Sequence, residues 1–209
     1  MKLDSPLYSI ADADVLAARG VPLEEFALEL RAAGVSLVQY RDKNGTPEQV
    51  LRAARVLREV FAGSGCMLIL NDRADLAVLA EFDGVHVGQD DLSPEDARRV
   101  VGPDRIVGLS THNEMQLRAA DATCADYLAI GPVFATGTKL NTEPVVGIDG
   151  VRRARSLTTK PLVAIGGIVR ENAHSVIGAG ADSVAVISGL FVAGEPVRHV
   201  ARDFLSLMR

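Results

Sequence analysis

The sequence predicts a single closed (β/α)8 barrel, a TIM barrel, over residues 1–209. Three observations lead to this fold class. Short apolar runs alternate with longer amphipathic runs, the alternation occurs eight times, and no linker or compositional break divides the chain. An open doubly wound sheet is the alternative, but no Gly-x-Gly-x-x-Gly follows the first strand, where such a sheet would bind a dinucleotide. Because 209 residues is near the lower limit for a barrel, most loops must be short.

The predicted strands and helices follow one another in pairs along the chain. The strands are residues 7–11, 37–40, 67–70, 84–87, 106–109, 127–130, 162–165 and 183–187. The helices are residues 23–33, 47–61, 72–80, 94–100, 114–121, 150–156, 171–179 and 196–207. Thr46 and Ser93 each precede a proline and are expected to cap a helix. Gly34, Gly102 and Gly178 are expected to end helices.

Composition limits the class of protein. Hydrophobic residues make up 48% and charged residues 23%, as in soluble globular proteins, and the scarcity of aromatic residues (4%) requires an aliphatic core. The net charge of -5, with no basic block, argues against a nucleic-acid partner. No apolar run approaches the roughly 18 residues of a membrane span, and the N-terminus lacks the apolar segment of a secretory signal. With Cys66 and Cys124 interpreted as buried reduced thiols, we expect a cytoplasmic protein that binds no membrane. Nothing in the sequence fixes an oligomeric state.

Polar residues at the carboxyl ends of the strands are the first candidates for function, because the active site of such a barrel forms there. After the second strand, a period of two places Gln39, Arg41 and Lys43 on one face and Tyr40 and Asp42 on the other. If the first face points inward, two cations and an amide line the mouth of the barrel. The simpler alternative is a solvated strand end.

Carboxylates follow the third and fourth strands. Asp72 comes directly after Asn71, and Asp91 ends the run Gly88-Gln89-Asp90-Asp91. Mg²⁺ binds few protein oxygens and completes its coordination with water and substrate phosphates, so two carboxylates beside nearby cations predict a magnesium site. The alternative is that Asp72 caps a helix and that Asp91 is a plain loop residue.

The remaining strands end in glycine and hydroxyl residues. Ser110 ends the fifth strand, an irregular segment at 133–149 contains Thr136-Gly137-Thr138-Lys139, and the last two strands end in Gly166-Gly167 and Ile187-Ser188. In phosphate-binding barrels the loops after strands 7 and 8 form the phosphate site, and glycine lets the backbone approach the anion. Close packing of strand against helix explains one glycine more easily than two. The sequence therefore predicts two anion sites and two small phosphorylated substrates.

Taken in order, these motifs resemble those of the thiamine phosphate synthase family, and the resemblance runs over nearly the whole chain. It implies a transferase of thiamine biosynthesis. Such an enzyme joins 4-amino-2-methyl-5-pyrimidinylmethyl diphosphate to 4-methyl-5-(2-phosphooxyethyl)thiazole, or to its carboxylated form, and releases diphosphate to give thiamine phosphate.

The resemblance also implies a set of site residues. The pyrimidine diphosphate would be bound by Gln39, Tyr40, Arg41, Asp42, Lys43, Asn71, Ser110 and Lys139. The thiazole phosphate would be bound by Thr136, Gly137, Thr138, Gly167, Ile187 and Ser188, and Mg²⁺ by Asp72 and Asp91. Arg41, Lys43 and Lys139 would act in catalysis by neutralising the leaving diphosphate.

Two other functions stay open at this point. A thiazole tautomerase of the same barrel type would bind the thiazole phosphate alone and would not need the cations and carboxylates. A non-catalytic barrel would bind a phosphate without turnover. His86, in the fourth strand, is expected to pack or to support the residues that touch substrate, and the function of His112 is open.

Overall fold

Eight parallel strands form a closed barrel in the computed structural model. The structure describes residues 5–137 and 143–207, and residue 207 is described by its backbone alone. Each strand pairs with the next in sequence, and β8 pairs with β1. The strands are β1 Leu7–Asp12, β2 Leu37–Arg41, β3 Met67–Asn71, β4 Gly84–Val87, β5 Ile106–Thr111, β6 Tyr127–Ile130, β7 Leu162–Ile165 and β8 Ser183–Val186. The predicted barrel is therefore confirmed and the open sheet is excluded.

Helices connect the strands. They are α1 Ala13–Arg19, α2 Leu23–Ala33, α3 Pro47–Phe61, α4 Ala74–Leu79, α5 Pro94–Val101, α6 Glu114–Asp121, α7 Gly147–Leu157, α8 Arg170–Gly178 and α9 Val197–Leu207, and one 3-10 turn covers Ser188–Leu190. No helix within the described ranges is long and apolar enough to cross a membrane.

Most of the predicted helix ends are confirmed. Thr46 and Ser93 cap α3 and α5 by accepting hydrogen bonds from backbone N–H groups of the first turn. Gly34 caps α2 in the left-handed conformation, which glycine adopts at little cost, and Gly102 caps α5. Gly178 instead is the last residue within α8.

The largest differences from the prediction are at three helix starts. The short helix α1 is absent from the predicted elements, and it is capped by Asp12, whose carboxylate accepts a backbone hydrogen bond of 3.1 Å. Helix α4 begins at Ala74 rather than at 72, because Asp72 has a φ of 61°, which cannot continue into a right-handed helix. Helix α7 begins at Gly147, so the irregular segment after β6 ends at Val146 rather than at 149.

The core has two parts, one between the strands and the helices and one inside the barrel. The outer part is mostly aliphatic, as predicted. The inner part contains Tyr8, Ile10, Leu37, Ile69, Tyr127, Ala129, Val163, Ala185 and Ile187. Its two tyrosine rings meet edge to face with centroids 6.0 Å apart, so the centre of the barrel is not purely aliphatic.

The two cysteines are free thiols, and their environments differ. Cys66 is partly buried, and burial raises its pKa to about 12. Cys124 is exposed in the connection between α6 and β6, so the prediction that both thiols are buried is wrong for this residue. The alanines around Cys124 resemble a core segment in composition, but they lie at the end of helix α6 and in the turn that follows it.

Candidate active site

The carboxyl ends of the strands bring most of the predicted site residues to one mouth of the barrel. A charged cluster lies beside β1 to β4 and consists of Asp12, Arg41, Lys43, Asp72 and Asp91. A cavity lies beside β5 to β8. Thr138 and Lys139, both predicted to bind substrate, lie outside the described residues.

The two cations at the end of β2 are held by carboxylates at the ends of the neighbouring strands β1 and β3. Arg41 forms an ion pair with Asp12, whose side chain is only 2% exposed. Lys43 is half-exposed and forms an ion pair with Asp72. Gln39 lies deeper on the same face, where its amide nitrogen donates to the hydroxyl of Tyr8 (2.9 Å). The alternation predicted for this strand therefore agrees with the side-chain contacts.

Tyr40 and Asp42 alternate with these residues and bind each other. The hydroxyl of Tyr40 donates to Asp42 (3.2 Å), and its ring packs in the outer core. Burial and the charge of Asp42 raise the pKa of Tyr40. The other carboxylate oxygen of Asp42 accepts from the backbone N–H groups of Asn44 (3.2 Å) and Gly45 (2.7 Å). These contacts shape the turn after β2, and they do not bring either side chain together with Gln39, Arg41 and Lys43.

Asp72 and Asp91 bring two carboxyl groups within hydrogen-bonding reach of each other. Burial and the proximity of Asp91 raise the pKa of Asp72, although Lys43 opposes the shift. For Asp91 burial has the same upward effect, but hydrogen bonds from Asp72 and from the backbone of Gly88 (2.8 Å), together with the charge of Lys43, leave its pKa lowered. Two crowded carboxyl groups of this kind favour an added cation.

The donor set of this pair fits Mg²⁺. The described parts of the chain contain no group of three or more His, Cys, Asp or Glu side chains that could hold a metal. Mg²⁺ uses one or two carboxylates and takes the rest of its oxygen ligands from water and substrate phosphates. Asp72 and Asp91 offer such a partial site beside two cations that could bind the same phosphates.

The cavity beside β5 to β8 brings together four of the residues predicted to bind the thiazole phosphate. Its lining includes Ser110, His112, Thr136, Gly167, Ile187 and Ser188. Gly137 is not among the lining residues. His112, whose function the sequence left open, is held at this cavity by a hydrogen bond between its Nδ1 and the carbonyl oxygen of Gly131 (2.7 Å).

Backbone geometry by itself requires glycine at positions 166 and 167. Their φ angles are 104° and 64°, which disfavour other residues. A Cβ atom on Gly167 would lie 2.6 Å from the carbonyl oxygen of Ala135 and 2.7 Å from the Cβ of Phe134. The close packing that the sequence made the weaker explanation therefore accounts for both glycines, although it involves the β6–α7 connection rather than a helix.

The β6–α7 connection is fastened at both of its ends. The backbone N–H groups of Val133 and Phe134 donate to the carbonyl oxygens of Ile165 (2.9 Å) and Gly166 (3.0 Å). At the other end, N–H groups at positions 146 and 147 donate to carbonyl oxygens at 132 (2.9 Å) and 133 (3.1 Å). The connection thus begins against the end of β7 and the turn after it, beside the cavity, and its far end is fastened back onto its own beginning.

Several residues that support the site are missing from the sequence prediction. Asp12 holds Arg41, and its position at the end of the first strand was a usable signal. Gln89 donates to the carbonyl oxygen of Ser110 (2.6 Å). Asn172, in α8, donates to the carbonyl oxygen of Gly167 (3.0 Å) and accepts from the backbone N–H of residue 169 (2.9 Å). Gln89 acts on backbone 21 residues away, so its partner could not be read from the run that contains it, whereas Asn172 acts on backbone only three and five residues before it.

Comparison with known proteins shows the family of the chain. A family model described as thiamine monophosphate synthase matches residues 7–190. The chain belongs to this family. A thiamine-phosphate synthase of Koribacter versatilis is 56% identical over 204 residues, which are 97% of this chain and 95% of that protein. A thiamine-phosphate synthase of Xanthobacter autotrophicus is 45% identical over 193 residues, covering 92% and 90% of the two chains.

Among solved structures, a thiamine phosphate pyrophosphorylase from Pyrococcus furiosus matches with a TM-score of 0.87 and 28% identity. The match covers 98% of this chain and 96% of that one. The resemblance inferred from the sequence motifs is therefore confirmed, and with it the expectation of a transferase of thiamine biosynthesis.

Proposed function

We propose that this chain condenses 4-amino-2-methyl-5-pyrimidinylmethyl diphosphate with 4-methyl-5-(2-phosphooxyethyl)thiazole, or its carboxylated form, to give thiamine phosphate and diphosphate. The observation that carries the proposal is the division of the barrel mouth into two unlike halves. The charged cluster at β1 to β4 suits a diphosphate, and the Gly, Ser and Thr cavity at β5 to β8 suits a phosphate monoester. Ser110 lies between the two halves.

In this reaction the main task of the protein is to stabilise the leaving diphosphate. As the carbon–oxygen bond breaks, negative charge builds on the diphosphate while the aminopyrimidine ring stabilises the carbon left behind. Arg41 and Lys43 are placed to neutralise that charge, and fixed charges are effective because they need no reorganisation during the reaction. We assign Lys139 the same function. Mg²⁺ held by Asp72 and Asp91 would supply further neutralisation of the diphosphate oxygens.

The bond-forming step needs no nucleophile from the protein. The ring nitrogen of the thiazole attacks the carbon and carries no proton that must be removed. The protein therefore needs only to hold the thiazole phosphate at the right distance, a function we assign to Thr136, Gly137, Thr138, Gly167, Ile187 and Ser188. Holding two reactants in position is itself a large contribution to rate.

The direct test is formation of thiamine phosphate from the two purified substrates, with Mg²⁺ and after treatment with a chelator. We expect turnover that depends on both substrates and on the metal. A thiazole tautomerase or a non-catalytic barrel would form no thiamine phosphate under either condition. We also propose a cytoplasmic location, supported by two free thiols, and cell fractionation tests it.

A further inference from the structure

A chain of four hydrogen bonds crosses the inside of the barrel and joins Gln39 to Ser110. Gln39 bonds Tyr8 (2.9 Å), and Tyr8 bonds Tyr127 (2.9 Å). Tyr127 bonds Nδ1 of His86 (2.8 Å), and Nε2 of His86 bonds the hydroxyl of Ser110 (2.8 Å). Both ends of the chain are residues predicted to contact the pyrimidine substrate. Between them, Tyr8 and Tyr127 have no assigned function, and His86 is expected only to pack or to support the residues that touch substrate.

The chain has a direction. The amide nitrogen of Gln39 can only donate, so Tyr8 accepts from it. Either hydroxyl could donate in the bond between Tyr8 and Tyr127. Tyr8 is assigned as the donor, because Tyr127 is its other hydrogen-bond partner among the described residues and a buried hydroxyl hydrogen left unpaired is costly. Tyr127 then donates to Nδ1 of His86. When Nδ1 of a neutral imidazole accepts, the hydrogen of the ring is on Nε2, and His86 is assigned this tautomer, in which Nε2 donates to Ser110. Every hydrogen bond along the chain therefore points from Gln39 towards Ser110.

The environment of the chain keeps this arrangement fixed. Tyr8 and Tyr127 are 1% and 0% exposed, and burial raises the pKa of both phenols, so each keeps the hydrogen that it donates. The ring of His86 also stacks on that of Tyr127, with centroids 5.4 Å apart. Buried, satisfied polar networks of this kind hold one arrangement, because a buried polar group left unpaired is costly.

The direction of the chain decides what its two ends offer to a ligand. Ser110 accepts from His86, so its own hydroxyl hydrogen is available to the cavity that it lines. Gln39 donates through its nitrogen, so its amide oxygen is the group that remains to accept. The chain thus ends in one donor, at Ser110, and one acceptor, at Gln39. An aminopyrimidine carries the complementary pair, since its amino group donates and its ring nitrogens accept.

We propose that Tyr8, Tyr127 and His86 are positioning residues that set Gln39 as acceptor and Ser110 as donor for the aminopyrimidine ring. This inference rests on the proposed function, and it assigns recognition of the aminopyrimidine ring to the chain of hydrogen bonds. The three residues touch no substrate themselves. They act through the ends of the chain, and they favour an aminopyrimidine over a ring in which an oxo group replaces the amino group.

Removal of one buried hydroxyl tests the proposal. Tyr127→Phe and Tyr8→Phe keep the rings and delete the links. We expect each to weaken binding of the pyrimidine diphosphate about tenfold, while binding of inorganic diphosphate, which has no ring, changes less than about twofold. Ser9→Ala is the matched control. Its hydroxyl is buried next to Tyr8 and is without a hydrogen bond to any described residue, so its removal should leave both affinities unchanged.

A double-mutant cycle shows whether the phenol acts through Ser110. If it does, the tenfold effect of Tyr127→Phe disappears when Ser110 is already alanine, because the end that the chain orients is gone. If Tyr127→Phe instead loosens the whole barrel, it will weaken binding of both the pyrimidine diphosphate and inorganic diphosphate, and its effect will add to that of Ser110→Ala. Unchanged affinity of Tyr127→Phe and Tyr8→Phe for inorganic diphosphate shows in the same experiment that the variants are folded.

The tautomer of His86 tests the direction of the chain. Nitrogen NMR of protein labelled at its histidines, with His86→Gln used for assignment, should show the hydrogen on Nε2. A hydrogen on Nδ1 would overturn the assignment of donor and acceptor. Failure of the wild-type protein to form thiamine phosphate would count against the proposed function. If the wild-type protein forms thiamine phosphate but Tyr127→Phe binds the pyrimidine diphosphate as tightly as Ser9→Ala does, this inference is overturned and the proposed function is not.

Discussion

Asp12 at the end of β1 forms a buried ion pair with Arg41 at the end of β2, and the same carboxylate caps helix α1. One oxygen binds the guanidinium group and the other accepts a backbone hydrogen bond from α1. Asp12 therefore connects the position of a cation in the proposed diphosphate site to the start of the first helix.

Asp12→Asn separates these two functions, because asparagine is also a good helix cap but carries no charge. We expect a loss of stability of about 2 kcal/mol, less than for a fully buried pair since Arg41 keeps some contact with solvent. We also expect a lower kcat/KM for the pyrimidine diphosphate. Urea unfolding and steady-state kinetics measure the two effects. Wild-type values in both would show that Asp12 does not hold Arg41.

Asp72→Asn tests the proposed magnesium site. Asparagine tolerates the left-handed backbone at this position, so the fold should be retained. We expect turnover to fall at least about a hundredfold, because the leaving diphosphate loses a metal-held contact. Asp75→Asn is the control, since Asp75 is exposed nearby on α4 and pairs with Arg73. Full activity of Asp72→Asn in chelator-treated protein would exclude the metal assignment.

Ser188→Ala tests whether the two anion sites are separate. Ser188 lines the cavity beside β5 to β8, so its loss should raise KM for the thiazole phosphate about fivefold and leave that for the pyrimidine diphosphate nearly unchanged. Ser206→Ala, on the exposed side of α9, should change neither value. Equal changes in both KM values would mean that the sites are not divided as proposed. Gly167→Val is a poorer test, because its Cβ would collide with Phe134 and Ala135 whatever binds there.

Lys139→Ala tests the third proposed cation. Its charge should matter most as the carbon–oxygen bond breaks, so the single-turnover rate should fall about a hundredfold while affinity for the pyrimidine diphosphate falls less. The experiment uses both substrates at saturation. A near wild-type rate would remove Lys139 from the site.

The fold could be predicted from the sequence because its determinants are local. Strand and helix periods, and caps such as Thr46 and Ser93, act over a few residues, so the bounds of β4, β6, β7, α2, α3 and α6 agree with the prediction. Helix α1 was not predicted, because only Leu16 of its seven residues is buried and the segment therefore shows little apolar periodicity. The start of α4 was misplaced because its left-handed Asp72 looks like an ordinary cap.

The site was less predictable, because contacts within it join residues that are far apart in sequence. The period of two already placed Tyr40 and Asp42 opposite Gln39 and Arg41, but the family resemblance implied the whole run as substrate ligands. Tyr8 and Tyr127 are 119 residues apart, and each alone looks like a core residue. Only the closed barrel brings the two hydroxyls together.

The bonds at the two ends of the β6–α7 connection allow the sequence between them to change without disturbing those ends. The four backbone bonds at its base involve residues 132–134, 146 and 147 on the connection and positions 165 and 166 at the end of β7. Added residues between 137 and 143 would leave all of them intact. Since doubling the length of a loop costs only about 0.6 kcal/mol in closure entropy, the barrel should tolerate insertions there. Such an insertion should hardly change the melting temperature but should strongly lower turnover. A change in the length of this segment therefore affects activity rather than folding.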